Sequence, residues 1–167
     1  MYQHILVAVG PGFSEAALSV AIARSRESNA RLTMLHVIDS APWWTASQAD
    51  VICCDTVDLV NQLALVVYRS STKMLEEAGV EAHWETRRTP ADGHNVGRII
   101  AEAADELEAD LIVLGGGKRS LFGIGVRRVS HVVCRHTDRE VLIASERANE
   151  RACTETLSRT VWEASHA

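Results

Sequence analysis

The stretch from residue 109 to residue 118, Ala-Asp-Leu-Ile-Val-Leu-Gly-Gly-Gly-Lys, carries the strongest fold signal in the chain. Leu111 to Leu114 is a short, continuous apolar run, which is typical of a strand buried on both faces of a parallel sheet. The glycines that follow allow a tight turn and let backbone N–H groups approach an anion closely. A plain strand-to-helix connection uses such a turn just as often. The stretch therefore predicts a buried strand that delivers a glycine loop to the end of a sheet.

Strand and helix patterns alternate on both sides of this stretch. Further strands are predicted at Ile5 to Val9, Arg31 to Ile38, Val80 to Arg87 and Glu140 to Ala144. Helical stripes run from Glu15 to about Asn29, along Val57, Val60, Ala64, Tyr68, Ser71 and Leu75 up to Gly79, along Val96, Ile99, Ile100, Ala103, Ala104 and Leu107, and along Val126, Val129, Val132 and Val133. Residues 39–52 and 115–125 are predicted loops. Strands that alternate with helices imply right-handed crossovers and a parallel sheet.

Composition limits the class of protein. The 167 residues suit one domain, and 47% hydrophobic with 23% charged residues is ordinary for a packed globular fold. The net charge of −5 argues against general nucleic-acid binding, which needs an excess of cations. No apolar run reaches the roughly 20 residues that span a bilayer, and the first residues lack a basic region and a cleavage site, so we expect a cytoplasmic protein without membrane contact.

Cysteine spacing gives no sign of a metal or redox site. Cys53, Cys54, Cys134 and Cys153 form no C-x-x-C pair, so zinc and thioredoxin-type sites are not expected. The histidines show no metal-binding spacing either. His36 lies inside a predicted strand, and a core histidine with satisfied hydrogen bonds is the expectation for it.

The order and spacing of several sequence blocks resemble the universal stress protein family. The blocks are Tyr2 to Val9, Arg31 to Asp39, Ala109 to Gly115, Val129-Ser130-x-x-Val133 and Val141 to Ile143. The resemblance covers roughly residues 2 to 145. It implies a five-stranded parallel α/β sandwich, Rossmann-like and similar to the adenine nucleotide alpha hydrolases, with strand order 3-2-1-4-5. It also implies a universal stress protein domain at residues 1–145, followed by a polar C-terminal tail at 146–167.

The nucleotide-binding motif of that family is degenerate in this chain. Nucleotide-binding members have an acidic residue at the end of strand one, then Gly-x-x-Gly, a spacer, and Gly-Ser or Gly-Thr. Here Gly10 stands in place of the acid, Lys118 in place of the second loop glycine, and Arg127-Arg128 in place of the closing pair. Gly115 keeps the first loop glycine. Gly10 has no side chain with which to bind a ribose or an adenine edge.

The resemblance places a candidate site for an adenine nucleotide or another anion at the strand ends. Its residues are Gly10, Pro11, Val37, Leu114, Gly115, Gly117, Lys118, Arg127 and Arg128. In one interpretation the cations bind phosphate, as arginine does bidentately, and ATP or AMP binds in an altered pose, with no metal beyond the Mg²⁺ that accompanies the nucleotide. In the other interpretation the bulky side chains fill the phosphate cavity or lie in solvent, and no nucleotide binds.

These residues lead to a functional expectation with open alternatives. We expect a regulatory or stress-response domain without classical enzymatic turnover and with weak or lost nucleotide binding. The alternative is an ATP- or AMP-binding universal stress protein with at most slow hydrolysis. A third class, an electron-transfer domain on a doubly wound sheet, has only the fold in its favour.

Two surface features carry further expectations. The family pairs its last strand across a two-fold axis, so the resemblance implies a homodimer through Glu140 to Ser145, where an exposed apolar edge needs a cover. Trp43 and Trp44 either stack on a ligand or pack on the second helix or a partner subunit.

Overall fold

The computed structural model describes residues 1–10, 15–39, 55–90, 95–116 and 124–144, and for 55–60 and 124–128 it describes the backbone alone. The elements within these ranges are β1 His4–Val9, α1 Glu15–Ser28, β2 Arg31–Ile38, α2 Asp55–Ala78, β3 His83–Arg88, α3 Val96–Glu106, β4 Leu111–Gly115, α4 Ile124–His136 and β5 Glu140–Ala144. The predicted C-terminal tail, Trp43, Trp44 and Ser145 lie outside the described residues.

The five strands form one parallel sheet in the order β3-β2-β1-β4-β5. Strand β1 lies at the centre, where Ile5 is opposite Leu32 of β2 and Leu111 of β4. This arrangement confirms the expected Rossmann-like fold and strand order. The order reverses beside β1, and in open α/β sheets ligands bind at the carboxyl ends of the strands near that reversal.

Alternate residues of the central strands supply two hydrophobic cores. Val7, Met34 and Val113 pack with residues of α1 and α2 on one face of the sheet. Leu6, Leu35 and Ile112 pack with α3 and α4 on the other face. Both faces are therefore covered, which is why the central strands read as continuous apolar runs.

The third strand begins later than the alternation of apolar residues predicts. Gly79 adopts a positive φ of 61° at the end of α2, and the Val80 N–H donates to the Leu75 carbonyl at 3.1 Å. This C-cap carries residues 80–82 out of the helix before the ladder with β2 starts at His83. Val80 and Ala82 still pack against the core, so their apolar pattern reflects burial and not strand pairing.

The fourth helix and the glycine loop also differ from the predicted bounds. Gly115 pairs with Ala144 as the last residue of β4, and α4 already begins at Ile124. The predicted loop of residues 115–125 is therefore shorter at both ends. Pairing with Ala144 holds Gly115 in the strand, although glycine is conformationally flexible. Ile124 and Gly125 belong to the first turn of α4, although the apolar stripe starts at Val126.

Asp110 joins the start of β1 to the start of β4. One oxygen of its carboxylate accepts hydrogen bonds from the backbone N–H groups of Gln3 at 2.6 Å and His4 at 2.9 Å. Its own N–H donates to the His4 carbonyl at 2.8 Å. The two backbone donors lower the pKa of Asp110 below its usual value, because they stabilise the charged carboxylate.

Asp110→Asn is expected to reduce the free energy of unfolding at pH 7 by about 1 kcal/mol, because charge-assisted hydrogen bonds are lost and solvent screening weakens their net value. The folded-state pKa lies below the unfolded one, so this stabilisation is present above about pH 4 and is lost as pH falls through the lowered folded value. Chemical denaturation of both proteins at one concentration, at pH 7 and near pH 3, measures the difference.

Asp105→Asn is the matched control for this prediction. Asp105 pairs with Arg139 at 3.2 Å on the surface, with about half of its side chain exposed. Removing such a pair changes stability by no more than about 0.5 kcal/mol. Equal effects of the two substitutions, or an Asp110→Asn deficit that grows below pH 4, would contradict the role assigned to Asp110.

Candidate functional site

Three neighbouring strands bring described residues of the candidate site to the same edge of the sheet. Gly10 follows β1, Val37 lies near the end of β2, and Leu114 and Gly115 end β4. Val37 and Leu114 are buried in the core that α3 and α4 cover. Both lie at the strand ends, near the backbone of residues 10 and 115.

The remaining predicted site residues are only partly described. Pro11, Gly117 and Lys118 lie outside the described residues. The backbone of Arg127 and Arg128 belongs to the N-terminal part of α4. A helix N-terminus exposes unpaired N–H groups and carries partial positive charge, so this placement suits an anion.

Gly10 leaves open space where a side chain would stand. A Cβ built on its backbone has no heavy atom within 4 Å. Glycine is therefore not required at this position by close packing. A side chain at residue 10 would therefore meet no steric obstacle.

His36 of β2 lies directly beside Val9, the last residue of β1. Its ring is 2% exposed, and Nδ1 donates to the Val9 carbonyl at 3.0 Å. The ring stacks on Trp84 with centroids 6.0 Å apart, and Tyr68 packs edge-on against the same indole at 5.0 Å. The expectation of a core histidine is confirmed, and its hydrogen bond holds the last carbonyl of β1 in place.

Gly97 permits an unusually close approach of α3 and α4. A Cβ at this position would lie 2.8 Å from the Val129 carbonyl oxygen and 2.8 Å from the Val132 Cβ. Val129 directly follows Arg127 and Arg128 in α4, and Val132 lies about one turn further along the helix. Sequence reasoning missed Gly97, although a glycine within the cleanest helical stripe was the available signal, because glycine is a poorer helix former than alanine.

The described part of the chain offers few other groups for chemistry. No cluster of three or more potential metal ligands occurs among the described residues. Cys134 is a free, exposed thiol, and partial burial raises its pKa. None of the helices within the described ranges is long and apolar enough to cross a membrane.

Solved structures similar in fold to this chain include universal stress proteins. One from Burkholderia pseudomallei is 24% identical with a TM-score of 0.59, over 85% of this chain and 95% of that one. A universal stress protein in complex with cAMP is 22% identical with a TM-score of 0.59, over 86% and 97% of the chains. The protein from Archaeoglobus fulgidus in complex with dAMP is 19% identical with a TM-score of 0.60, over 86% and 98%. No curated protein matches the chain.

The sequence itself matches the model of one protein family. The match to the universal stress protein family extends over residues 1–145, which is the whole of the sheet and its helices. It ends where the predicted polar tail begins. This match, which agrees with the strand order of the sheet, shows that the chain belongs to the universal stress protein family.

Proposed function

We propose that this chain is a regulatory universal stress protein domain that binds adenine nucleotides weakly and does not turn them over. The observation that carries the proposal is the empty side-chain space at Gly10, where nucleotide-binding members of the family have an acid. The domain in this proposal has lost the group that holds the base or ribose and has kept the part that faces phosphate.

The loss of the acid accounts for weak binding. A hydrogen bond from a ribose hydroxyl or an adenine amino group to a carboxylate contributes about 1.5–3 kcal/mol. Without it, affinity falls by roughly ten- to a hundredfold. The neighbouring side chains of Val37 and Leu114 are apolar and buried in the core, so they supply no polar group that would orient a base.

The phosphate side supports retained binding. The last residue of β4 is a glycine, Gly115, and the N-terminal part of α4 carries Arg127 and Arg128. Helix N-termini and arginines both favour phosphate. Two structural neighbours are described in complex with cAMP and with dAMP, which indicates the ligand class to test first.

Absence of turnover belongs to the same proposal. The described residues at the strand ends include few groups that could act as a general acid or base. His36 is one of them, and its Nδ1 already donates a hydrogen bond to the Val9 carbonyl. Mg²⁺ would enter only with the nucleotide. The alternative, an ATP- or AMP-binding protein with slow hydrolysis, would show phosphate release above the buffer rate. A cytoplasmic location stays a prediction of the sequence.

The melting temperature of the chain, measured against increasing ATP and Mg²⁺, tests the proposal. A ligand at 100 times its dissociation constant stabilises by about 2.7 kcal/mol. We expect a rise only at millimolar ATP, and a smaller rise with adenosine. A flat curve up to saturating nucleotide would contradict retained binding, and saturation at micromolar ATP would contradict the weakened site.

The proposal includes a homodimer through β5. Strand β5 lies at one edge of the sheet, and its Ile143 side chain is 39% exposed. The opposite edge strand, β3, is polar and charged, with the sequence His-Trp-Glu-Thr-Arg-Arg. Charged edges resist pairing and apolar ones favour it, so β5 is the edge that a second copy would cover.

A further inference from the structure

We propose that Gly97 is the positioning residue of the phosphate side of the site, because it sets how closely α4 approaches α3. This inference rests on the proposed function and adds a residue that lies outside the loop and contributes no side chain to it. Gly97 is buried, and its nearest neighbours across the helix interface are Val129 and Val132 of α4.

The atoms of α4 that face Gly97 cannot move away from it without the helix backbone. One is the backbone carbonyl oxygen of Val129, and the other two are the Cβ and Cγ1 of Val132, at 2.8 and 3.0 Å from a built Cβ. A carbonyl oxygen and a Cβ are fixed by the backbone, unlike the end of a flexible side chain. Any residue larger than glycine at position 97 must therefore push the two helices apart. We expect α4 to be the helix that moves, because α3 is fixed in the core by Ile99, Ile100, Ala103 and Ala104.

A displacement of α4 reaches the candidate site directly. Val129 follows Arg128 in the same helix, so the carbonyl that touches Gly97 belongs to the residue next to the arginine pair. The helix N-terminus and both arginine positions shift with it. Gly115 and Gly10 would stay, since β1 and β4 are held by the sheet. The two halves of the site would then separate.

The packing also explains why a glycine occurs in this helix. Alanine is the better helix former, so Gly97→Ala would stabilise α3 if the helix stood alone. The clash with α4 acts in the opposite direction. The close approach of α4 therefore gives Gly97 a packing role that alanine cannot fill without a shift.

The test combines crystal structures with anion titrations of Gly97→Ala and the wild-type chain. The probes are inorganic tripolyphosphate and ATP with Mg²⁺, measured by calorimetry well below the melting temperature of each variant. The structures should show α4 moved outward until the 2.8 Å contact approaches the 3.4 Å of ordinary packing. The affinity for tripolyphosphate should fall about tenfold, as expected when one charge-assisted contact is lost.

Ile22→Val is the matched control. Ile22 lies in α1 on the opposite face of the sheet, and its truncation loosens the core without touching α4. Its affinity for tripolyphosphate should equal that of the wild-type chain. If a general loss of stability lowered the affinity for tripolyphosphate, both variants would bind it less tightly. If Gly97 has a positioning role, only Gly97→Ala binds it less tightly.

The outcomes separate this inference from the proposed function. An unmoved α4 in Gly97→Ala, or a moved α4 with unchanged affinity for tripolyphosphate, overturns the role of Gly97. A wild-type chain that binds neither probe overturns the proposed function and the binding half of this inference. In that case the crystal structures alone decide whether Gly97 positions α4.

Discussion

Gly10→Asp is expected to raise the affinity for ATP by about tenfold or more, because it returns a carboxylate to the end of β1. The carboxylate would accept hydrogen bonds from the ribose hydroxyls or the adenine amino group. Charge-assisted hydrogen bonds of this kind contribute about 1.5–3 kcal/mol, and each 1.4 kcal/mol is a factor of ten in affinity.

The structure accommodates this substitution without strain. No heavy atom lies within 4 Å of the position that the new Cβ would take, and residue 10 does not have the positive φ that only glycine adopts readily. Stability should therefore change little. With Mg²⁺ bound, ATP has a net charge of about −2, so its repulsion from the carboxylate opposes binding by about 0.8 kcal/mol at a separation on the order of 10 Å in water. This is smaller than the expected gain of about 1.5–3 kcal/mol.

Calorimetric titration of ATP and Mg²⁺ into both proteins measures the effect. Gly10→Asn is the matched control, since it has nearly the same shape and no charge, and should gain much less. Tripolyphosphate should bind Gly10→Asp slightly less tightly than the wild-type chain, because it has no base or ribose. If the affinity for ATP is unchanged, the base binds elsewhere, and the missing acid at residue 10 does not explain weak binding.

Ile143→Glu is expected to convert the proposed homodimer to a monomer. Strand β5 has backbone groups on one side that none of the described strands pairs, and Ile143 is the exposed large aliphatic residue of that strand. A charge placed in an apolar interface without a partner costs about 3–5 kcal/mol, so the dimer should weaken by at least about 100-fold. Sedimentation velocity at micromolar concentration measures the change.

His83→Glu provides the control at the opposite edge of the sheet. His83 is exposed on β3, which already carries charged residues, so the same added charge should leave the dimer intact. A wild-type chain that is monomeric at micromolar concentration contradicts the dimer itself. Equal dissociation by both substitutions contradicts the choice of β5 as the interface.

The sequence predicted the fold well because its signals are local and strong. Apolar runs such as Leu111 to Leu114 belong to strands that are buried on both faces, and the structure confirms the parallel sheet around them. The predicted start of β3 was wrong by three residues, because Val80 is partly buried against the core without a strand partner. Alternating apolar residues indicate which side chains are buried. They indicate a strand only where a neighbouring strand is available for pairing.

The candidate site was harder to predict because its geometry depends on contacts far apart in the chain. The sequence identified Gly10 and Gly115 by their positions after strands, and the structure brings both to the same edge of the sheet. It gave little reason to single out Gly97, whose importance comes from Val129 and Val132 on another helix. The structural role of Asp110 was also missed, because its hydrogen-bond partners are the backbone N–H groups of residues 3 and 4.

A titration of the ¹⁵N-labelled wild-type chain with ATP and Mg²⁺, followed by NMR, tests most directly whether a weakened nucleotide site lies at these strand ends. We predict fast-exchange shifts, with millimolar midpoints, at the amides of Gly10, Gly115 and Gly116 and of the first residues of α4. The amides at the opposite ends of the strands, such as those of His4 and Leu111, should not move. Shifts confined to other surfaces, or none at saturating ATP, would contradict the account.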